Sequence, residues 1–406
     1  MQDQPPHYAS IRRLADLIRG REVSAAAVVQ ACLNRIERLN PTLNAFITIL
    51  RDEALQRARE ADADIAAGRW RGSLHGIPIA VKDFFDTAGV RTTAAFQRFA
   101  NRVPARDAPS VARLEGAGAI ILGKTNMHTL GMGTTGLVSH VGPAKNPWNA
   151  DVIPGGSSSG SAVAVAAGLC AATLDTDAIG SCRLPAACCG VAGFKPTFGA
   201  IDITGILAGE QPPDDTIRWL SHAGITTRTA EDASIVAQAL GVEVRGPAGL
   251  CRIGAANNVR ADDEVRCRFE EAVQAIAGIG YTVTRTPAPL HDLREGIRTI
   301  EADRTSIGER AFREVDLLLV PTTASTTPAV AAASNDQLAL SPENTSFANY
   351  YGLPAISVLC GFDSRGCPIG VQIVGKPGDD GRVLALAQKY EMTRDSAAPG
   401  RRYPIE

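Results

Sequence analysis

Five serines lie close together in the segment "IPGGSSSGSAVAVAAGLCAATLDTDAIGSCRLPAACCG", which covers residues 153–190. The same segment contains two aspartates and one arginine but no histidine. Serine is the nucleophile of many acyl-transfer enzymes, and it needs a neighbouring base that removes its proton. The sequence therefore has to supply that base from outside this segment if it is to be a histidine, or from another residue type.

Ser158 is the centre of "GSSSG", which has the letters of the G-x-S-x-G nucleophile motif of α/β-hydrolases. That motif requires a strand that runs straight into the serine and a histidine later in the chain. The preceding residues "NPWNADVIP" predict a turn, and His222 and His291 are the only downstream histidines. We therefore disfavour an esterase of this type and expect Ser158 to be structural.

The segment "GAIILGKT", residues 118–125, matches the phosphate-loop pattern G-x-x-x-x-G-K-[ST]. A phosphate loop needs a flexible turn at its middle residues, whereas Ala-Ile-Ile-Leu predicts a strand. We therefore interpret Lys124 and Thr125 as a turn at the end of a strand and predict no nucleotide site.

Asp175 and Asp177 alternate along a predicted strand and so point to the same side of it. Paired carboxylates can perform acid–base chemistry or bind a metal. In most proteins such a pair accepts local hydrogen bonds from the backbone. We expect that structural role here and assign the pair no part in catalysis.

A lysine can replace histidine as a base if burial keeps its amine neutral. Lys82 follows the apolar run "GIPIAV" directly, which predicts that its side chain is delivered from the end of a buried strand. Most lysines in such a position extend to solvent. The residue is therefore a candidate base whose role the local pattern alone does not decide.

Four segments together resemble the amidase signature family of serine hydrolases: "GIPIAVKDFFDTAGVRTT", "PGGSSSGSAVAVAAG", "DTDAIGSCRLPAACCGVAGFKPTFG" and "YYGLPAISVLCGFDSRGCPIGVQIVGKP". The similarity runs from about residue 8 to residue 392 and is strongest over residues 154–199. It implies amide hydrolysis by a Ser-Ser-Lys triad. In that triad Ser181 is the nucleophile, Lys82 is the base, and Ser157, preceded by a cis peptide bond, passes the proton between them.

The resemblance also implies an oxyanion hole made of the backbone N–H groups of Ala178, Ile179, Gly180 and Ser181. Arg183 is expected to brace this loop from outside the reacting centre. The family usually has two glycines before the nucleophile, but this chain has Ile179 and Gly180. We expect Ile179 to keep a negative φ and to form an apolar wall of the pocket, and we propose Met132 as a second pocket wall.

Short apolar runs alternate with helical patterns after an N-terminal helical layer at about residues 8–68. This order predicts a single α/β domain over residues 1–406, built as a sandwich of a large mixed β-sheet flanked by helices. The signature core covers about residues 74–200, and the tail 393–406 is expected to be loose. Residues 286–315 are fewer than the family usually has here, which predicts a shortened roof over the pocket.

The formal net charge is −2 and no Lys/Arg cluster is present, which argues against nucleic acid as a partner. The N-terminus lacks the features of a secretory signal, and no window is apolar enough to span a membrane. Nine cysteines without a CxxC pair predict neither disulfides nor a zinc site. We therefore expect a cytoplasmic protein without cofactor or metal that binds a small-molecule amide, and we leave a homo-oligomer open.

The function that these residues favour is hydrolysis of a carboxamide C–N bond through a serine acyl-enzyme, with release of ammonia or an amine. One alternative is a non-catalytic or complex-bound subunit with the same fold. Another is the glutaminase subunit of a tRNA-dependent amidotransferase, which typically has glutamine after the loop arginine. Leu184 stands at that position here, so we disfavour the glutaminase. The substrate and the size of its acyl group stay open.

Overall fold

Eleven strands form one mixed sheet in the part of the chain that the computed structural model describes, residues 6–210, 215–246, 251–397 and 403–405. The strands are β1 (Phe46–Ile49), β2 (Pro78–Lys82), β3 (Ile120–Thr125), β4 (Ala172–Asp177), β5 (Ala192–Lys195), β6 (His222–Thr227), β7 (Ile253–Ala256), β8 (Val283–Thr286), β9 (Leu317–Pro321), β10 (Ala355–Phe362) and β11 (Pro368–Gly375). Their order in the sheet is β1-β3-β2-β4-β6-β5-β10-β11-β9-β7-β8. The predicted large mixed sheet is confirmed.

Helices flank this sheet. They are α1 (Ile11–Arg19), α2 (Ala25–Leu43), α3 (Arg51–Ala66), α4 (Pro109–Gly116), α5 (Ser159–Ala166), α6 (Arg183–Cys189), α7 (Asp215–Leu220), α8 (Ala230–Ala239), α9 (Asp263–Gly278), α10 (Ile300–Ala311), α11 (Val330–Ala333), α12 (Ser346–Tyr350) and α13 (Asp380–Ala397). Ser10 and Ser24 cap the N-termini of α1 and α2, because each hydroxyl accepts a backbone N–H of the first turn. None of these helices is long and apolar enough to cross a membrane.

The pairing of β2 places the C-terminal ends of two strands at the same edge of the sheet. β2 lies between β3 and β4 and runs parallel to both. The carboxyl ends of neighbouring parallel strands form the usual crevice for a ligand in an α/β protein. β2 ends at Lys82 and β4 ends at Asp177, so the predicted base and the predicted oxyanion loop start side by side.

Two sequence-based expectations about the N-terminal layer and the sheet were incomplete. β1 lies between α2 and α3 and pairs antiparallel with β3, so residues 8–68 are not purely helical. β5 and β6 were also missed, because their short runs contain glycines that weaken a strand pattern. Gly193 and Gly224 are required there by close packing, since a Cβ at either position would collide with Cys182.

The C-terminal tail is more ordered than predicted. α13 continues to Ala397, and the ring of Tyr403 stacks on Tyr8 at a centroid distance of 3.9 Å. The carbonyl oxygen of Ile405 accepts hydrogen bonds from Tyr8 Oη (2.6 Å) and Arg35 Nη2 (2.9 Å). The prediction of a loose tail is therefore wrong for residues 393–397 and 403–405, while residues 398–402 and 406 lie outside the described residues.

The two motifs that we disfavoured from the sequence have other structures. β3 covers residues 120–125 of "GAIILGKT", which excludes a phosphate loop, but Lys124 and Thr125 belong to the strand itself rather than to a turn after it. No strand runs into Ser158, because residues 153–157 form an irregular segment before α5. Neither nucleotide binding nor a hydrolase elbow fits this geometry.

Candidate active site

The amine of Lys82 is completely buried at the end of β2 and is surrounded by hydroxyl groups. Its Nζ lies 2.7 Å from Ser157 Oγ, 2.9 Å from Ser158 Oγ and 2.8 Å from Thr176 Oγ1. Within the described residues, no carboxylate is close enough to form a salt bridge with it. Burial lowers the pKa of Lys82 from its ordinary value of 10.5 to about 8, so the neutral amine is accessible near neutral pH.

Burial by itself does not distinguish Lys82 from two other lysines. Burial lowers the pKa of Lys124 to about 8 as well, and it lowers the pKa of Lys195 well below 10.5. Lys124 donates to the carbonyl of Phe85, and Lys195 donates to that of Leu353, so both act as structural braces. Only Lys82 presents its amine to a serine that lines a cavity.

Ser157 and Ser181 both line the cavity next to Lys82. The peptide bond between Gly156 and Ser157 is cis. The backbone holds both serines, because Ser158 N–H donates to Ser181 O (3.1 Å) and His128 N–H donates to Ser157 O (2.9 Å). The two hydroxyls form no direct hydrogen bond here.

The loop after β4 is organised around the carboxylate of Asp177. Its Oδ1 accepts the N–H of Gly180 at 2.8 Å, and its Oδ2 accepts the N–H of Cys182 at 3.2 Å. The expectation that this aspartate binds local backbone groups is therefore confirmed. The N–H of Gly180 is already occupied, which leaves the amides of Ala178, Ile179 and Ser181 without a hydrogen-bond acceptor in the described part of the chain.

The positive φ in this loop falls on Gly180 (φ +126°), whereas Ile179 is not among the residues with positive φ. The expected negative φ of Ile179 is thus confirmed. A side chain at Gly180 would collide with the hydroxyl of Thr345, which donates to Ile179 O at 2.6 Å. One glycine therefore suffices for the turn, and the position that the family usually gives to a second glycine holds a side chain.

Arg183 is buried beneath the loop and forms an ion pair with Asp177. Its Nε and Nη2 lie 3.0 Å from Asp177 Oδ2 and Oδ1, and its Nη groups also donate to Gln372 (2.9 Å) and Asn349 (2.6 Å). The arginine, together with other hydrogen-bond donors, holds the pKa of Asp177 well below its usual range. Because protein groups supply the hydrogen-bond partners of this buried Arg183–Asp177 pair, the pair holds the loop rigidly without help from water. This geometry agrees with the bracing role expected for Arg183.

A cavity of about 980 Å³ opens beside Ser157, Thr176 and Ser181. Its wall includes Ile179 and Met132, the two residues proposed for the pocket from the sequence. Met132 is 53% exposed, so it lies towards the rim. His128, four residues before Met132, is buried. Burial lowers the pKa of His128 to about 4, which agrees with a neutral, structural imidazole.

Sequence reasoning missed Thr176 and Asn349. Thr176 had a usable signal, because strand alternation places it on the opposite face from Asp175 and Asp177, the face that meets Lys82. Asn349 had none. It lies 172 residues beyond Asp177, and only the folded sheet brings its amide within 2.9 Å of that carboxylate.

The described residues contain no group of three or more His, Cys, Asp or Glu side chains that could hold a metal ion. All the polar side chains that meet at the cavity next to Lys82 are hydroxyls. The site therefore has the parts of a serine acyl-transfer centre, namely a nucleophile candidate, a buried base and free backbone amides.

Comparisons with known proteins identify the family. The amidase family model matches residues 27–246 and 296–384. The chain is 31% identical to a glutamyl-tRNA(Gln) amidotransferase subunit of Carboxydothermus hydrogenoformans, over 96% of this chain and 98% of that protein. The chain belongs to the amidase family, whose members carry the amidase signature.

Solved structures support the same assignment. The peptide amidase of Stenotrophomonas maltophilia superimposes with a TM-score of 0.80 at 26% identity, over 98% of this chain and 99% of that one. The corresponding glutamyl-tRNA(Gln) amidotransferase subunit of Thermotoga maritima gives 0.78 at 26% identity, over 100% and 98%. The amidase signature fold predicted from the sequence is confirmed.

The alignment with the Carboxydothermus protein spans 482 positions, more than the 406 residues of this chain, so that relative has segments that this chain lacks. The family model leaves residues 247–295 unmatched. This gap includes the start of the region 286–315, where we predicted a shortened roof.

We predict that Gly180→Ala lowers the rate at which a fluorophosphonate labels the protein by about 100-fold or more, since loss of one oxyanion donor alone costs that much. The new methyl group would push the loop away from Thr345 and shift the amides of Ile179 and Ser181. Gly199→Ala is the matched control, because Gly199 also has a positive φ (+78°) but no atom within 4 Å of the new methyl group. Wild-type labelling of Gly180→Ala would show that this loop geometry is dispensable.

Proposed function

We propose that this chain hydrolyses a carboxamide C–N bond through an acyl-enzyme on Ser181, with Ser157 as the proton relay and Lys82 as the base. The observation that carries the proposal is the completely buried amine of Lys82, which has no carboxylate partner within the described residues and lies 2.7 Å from Ser157 Oγ beside the cavity. A charged ammonium would be costly in that environment, so the site favours a neutral amine that can accept a proton.

The hydroxyls around Lys82 orient its lone pair. A neutral amine has two N–H donors and one lone pair. If Ser158 and Thr176 accept the two N–H groups, the lone pair is directed at the hydroxyl of Ser157. Ser157 can then pass its proton to Lys82 while it accepts the proton of Ser181.

Ser181 Oγ, as it loses its proton, attacks the carbonyl carbon of the amide. The carbonyl oxygen becomes an oxyanion, which the N–H groups of Ala178, Ile179 and Ser181 can stabilise. The N–H of Gly180 holds Asp177 instead, so we assign it to the support of the hole rather than to the hole itself.

The second half of the reaction reverses the proton path. The ammonium of Lys82 returns its proton through Ser157 to the amide nitrogen, the C–N bond breaks, and ammonia or an amine leaves. Water then attacks the ester carbonyl on Ser181 and passes one proton through Ser157 to Lys82. The C–O bond to Ser181 breaks, and Lys82 returns that proton through Ser157 to Ser181 Oγ. The products are a carboxylic acid and the free enzyme.

A second candidate is the glutaminase of a tRNA-dependent amidotransferase, because a relative 31% identical over nearly its whole length carries the name of such an amidotransferase. We disfavoured this function on Leu184. Leu184 is buried on α6 and packs next to Gly180, and it is not part of the cavity wall. Leu184 therefore contributes to the packing of the loop, and its presence does not by itself exclude glutamine as the substrate.

A fluorophosphonate should label Ser181 of the purified protein, and peptide mass spectrometry should locate the adduct there. Lys82→Ala should reduce labelling by about 100-fold or more, because general-base catalysis is lost. Lys124→Ala is the matched control, since Lys124 is equally buried but contacts neither serine. Labelling of Ser158 that survives Lys82→Ala would contradict the mechanism, and no labelling at all would favour a non-catalytic subunit.

The value of kcat/KM should rise about tenfold per pH unit below pH 8 and level off above it. The sign follows from the pKa of Lys82, which burial lowers to about 8: the amine is protonated below that pH and neutral above it. Ammonia release from a neutral amide between pH 5.5 and 9.5 would measure the profile. A rate independent of pH across this range would exclude Lys82 as the base.

The purified chain should hydrolyse hexanamide with a kcat/KM more than about tenfold above that for L-glutamine, because glutamine would bring an ammonium and a carboxylate against mostly apolar walls. Coupled measurement of ammonia with both substrates tests this. Comparable values, or a preference for glutamine, would support the glutaminase instead.

A further inference from the structure

The cavity beside Ser181 is lined mainly by apolar side chains. Its walls include Phe84, Leu130, Ile179, Ile206, Leu207 and Leu220. Its volume of about 980 Å³ is at the upper end of the range for sites that enclose a drug-sized ligand. The reacting carbonyl and nitrogen of an amide occupy only a small part of such a space, so the rest must accommodate a substituent.

Charged residues of this wall lie at its rim. Glu210, Arg218 and Asp336 are all exposed, whereas Leu220 is buried and Leu130 and Ile179 are half-buried. Within the described lining residues, hydroxyl groups supply the polar side chains next to Lys82. A substituent that extends from the reacting carbonyl therefore meets apolar surface first.

One wall of the cavity is fixed in place before any ligand binds. The carboxylate of Asp86 forms a bidentate pair with Arg102 (2.6 and 2.9 Å) and also accepts the N–H of Ala208 at 3.0 Å. Arg102 donates to Ala208 O at 2.8 Å, and Asp86 N–H donates to Gly205 O at 2.8 Å. Residues 205–208 are thus anchored to the segment that follows Lys82.

Two leucines of the wall have left-handed backbones, Leu130 (φ 55°) and Leu207 (φ 48°). This conformation costs a leucine about 1 to 3 kcal/mol and persists only where the surroundings enforce it. The N–H of Leu130 donates to Ala94 O (2.9 Å), and Ala94 is itself left-handed (φ 53°). A preformed apolar wall binds an apolar group with little ordering on binding.

We propose that this cavity binds an uncharged amide with a long or bulky apolar substituent, and that Leu207 is a determinant of that preference. The inference rests on the proposed amide hydrolysis and adds the class of its substrate. The apolar group can belong to the acyl side or to the amine side of the amide, since both extend from the same carbonyl, and the experiment separates the two.

Two homologous series test the proposal. Straight-chain primary amides from acetamide to decanamide place the apolar group on the acyl side, and N-alkylacetamides of matched length place it on the amine side. In one series kcat/KM should increase about fourfold for each added methylene until the cavity is filled, as expected for burial of a CH₂ group. A flat or falling kcat/KM in both series would overturn the proposal.

Leu207→Ala should lower the ratio of kcat/KM for the longest substrate to that for acetamide by about tenfold, because the longer chain loses its contact with this leucine. Alanine keeps a side chain on the same left-handed backbone, so the comparison isolates the lost side-chain contact. Leu290→Ala is the matched control, since Leu290 is 38% exposed and does not line the cavity. An unchanged ratio in Leu207→Ala, or an equal fall in Leu290→Ala, would contradict the role of Leu207.

Fluorophosphonate labelling of Ser181 separates this inference from the proposed function. Labelled protein that shows no gain with chain length would refute the apolar substrate class while leaving the acyl-enzyme mechanism in place. Protein that neither reacts with the phosphonate nor hydrolyses any amide of either series would refute both.

Discussion

Hydroxyl groups enclose the amine of Lys82, and no carboxylate among the described residues forms an ion pair with it. The proposed chemistry of the site depends on this environment. A lysine beside a carboxylate would stay protonated and could not act as a base, and a lysine in water would need a pH near 10 to become neutral. Three structural features keep Lys82 between these limits: the apolar run that forms β2, the parallel neighbours β3 and β4, and the serines before α5. The proposed base therefore depends on the whole sheet edge as well as on the side chain of Lys82 itself.

The negative charge of Asp177, at the end of β4, supports the loop and forms no ion pair with Lys82. Asp177 ends β4, but Arg183 and three backbone or amide N–H groups bind its oxygens. The carboxylate of Asp177 therefore accepts hydrogen bonds from the backbone amides that follow it and holds them in place. The carboxylate of Asp177 therefore does not hold Lys82 in its charged form through an ion pair. By accepting the N–H of Gly180, it removes that amide from those that remain free for an oxyanion.

The sequence was sufficient for the fold class, a large mixed sheet flanked by helices, because this depends on local pattern and on the family resemblance. The triad of Lys82, Ser157 and Ser181 stays a prediction. It was insufficient for β5 and β6, where glycines allow Cys182 to pack closely and weaken the strand pattern. It also missed Asn349, whose contact with Asp177 joins parts of the chain 172 residues apart. The prediction of a loose tail was wrong for residues 393–397 and 403–405, since the sequence did not reveal that Tyr403 stacks on Tyr8 or that Tyr8 Oη donates to Ile405 O.

Similarity to the amidotransferase relatives and the chemistry of the cavity answer different questions about this protein. The proposed catalytic half of the site is carried by β2, β4 and the start of α5, which the family model covers without a gap. The proposed substrate half is carried by the segments around Phe84, Leu130, Leu207 and Leu338, which all line the cavity. These segments lie outside the strands and can change without disturbing the sheet. An overall identity of 31% is thus compatible with one mechanism and two substrates. The walls, and not the overall similarity, should decide which amide this enzyme accepts.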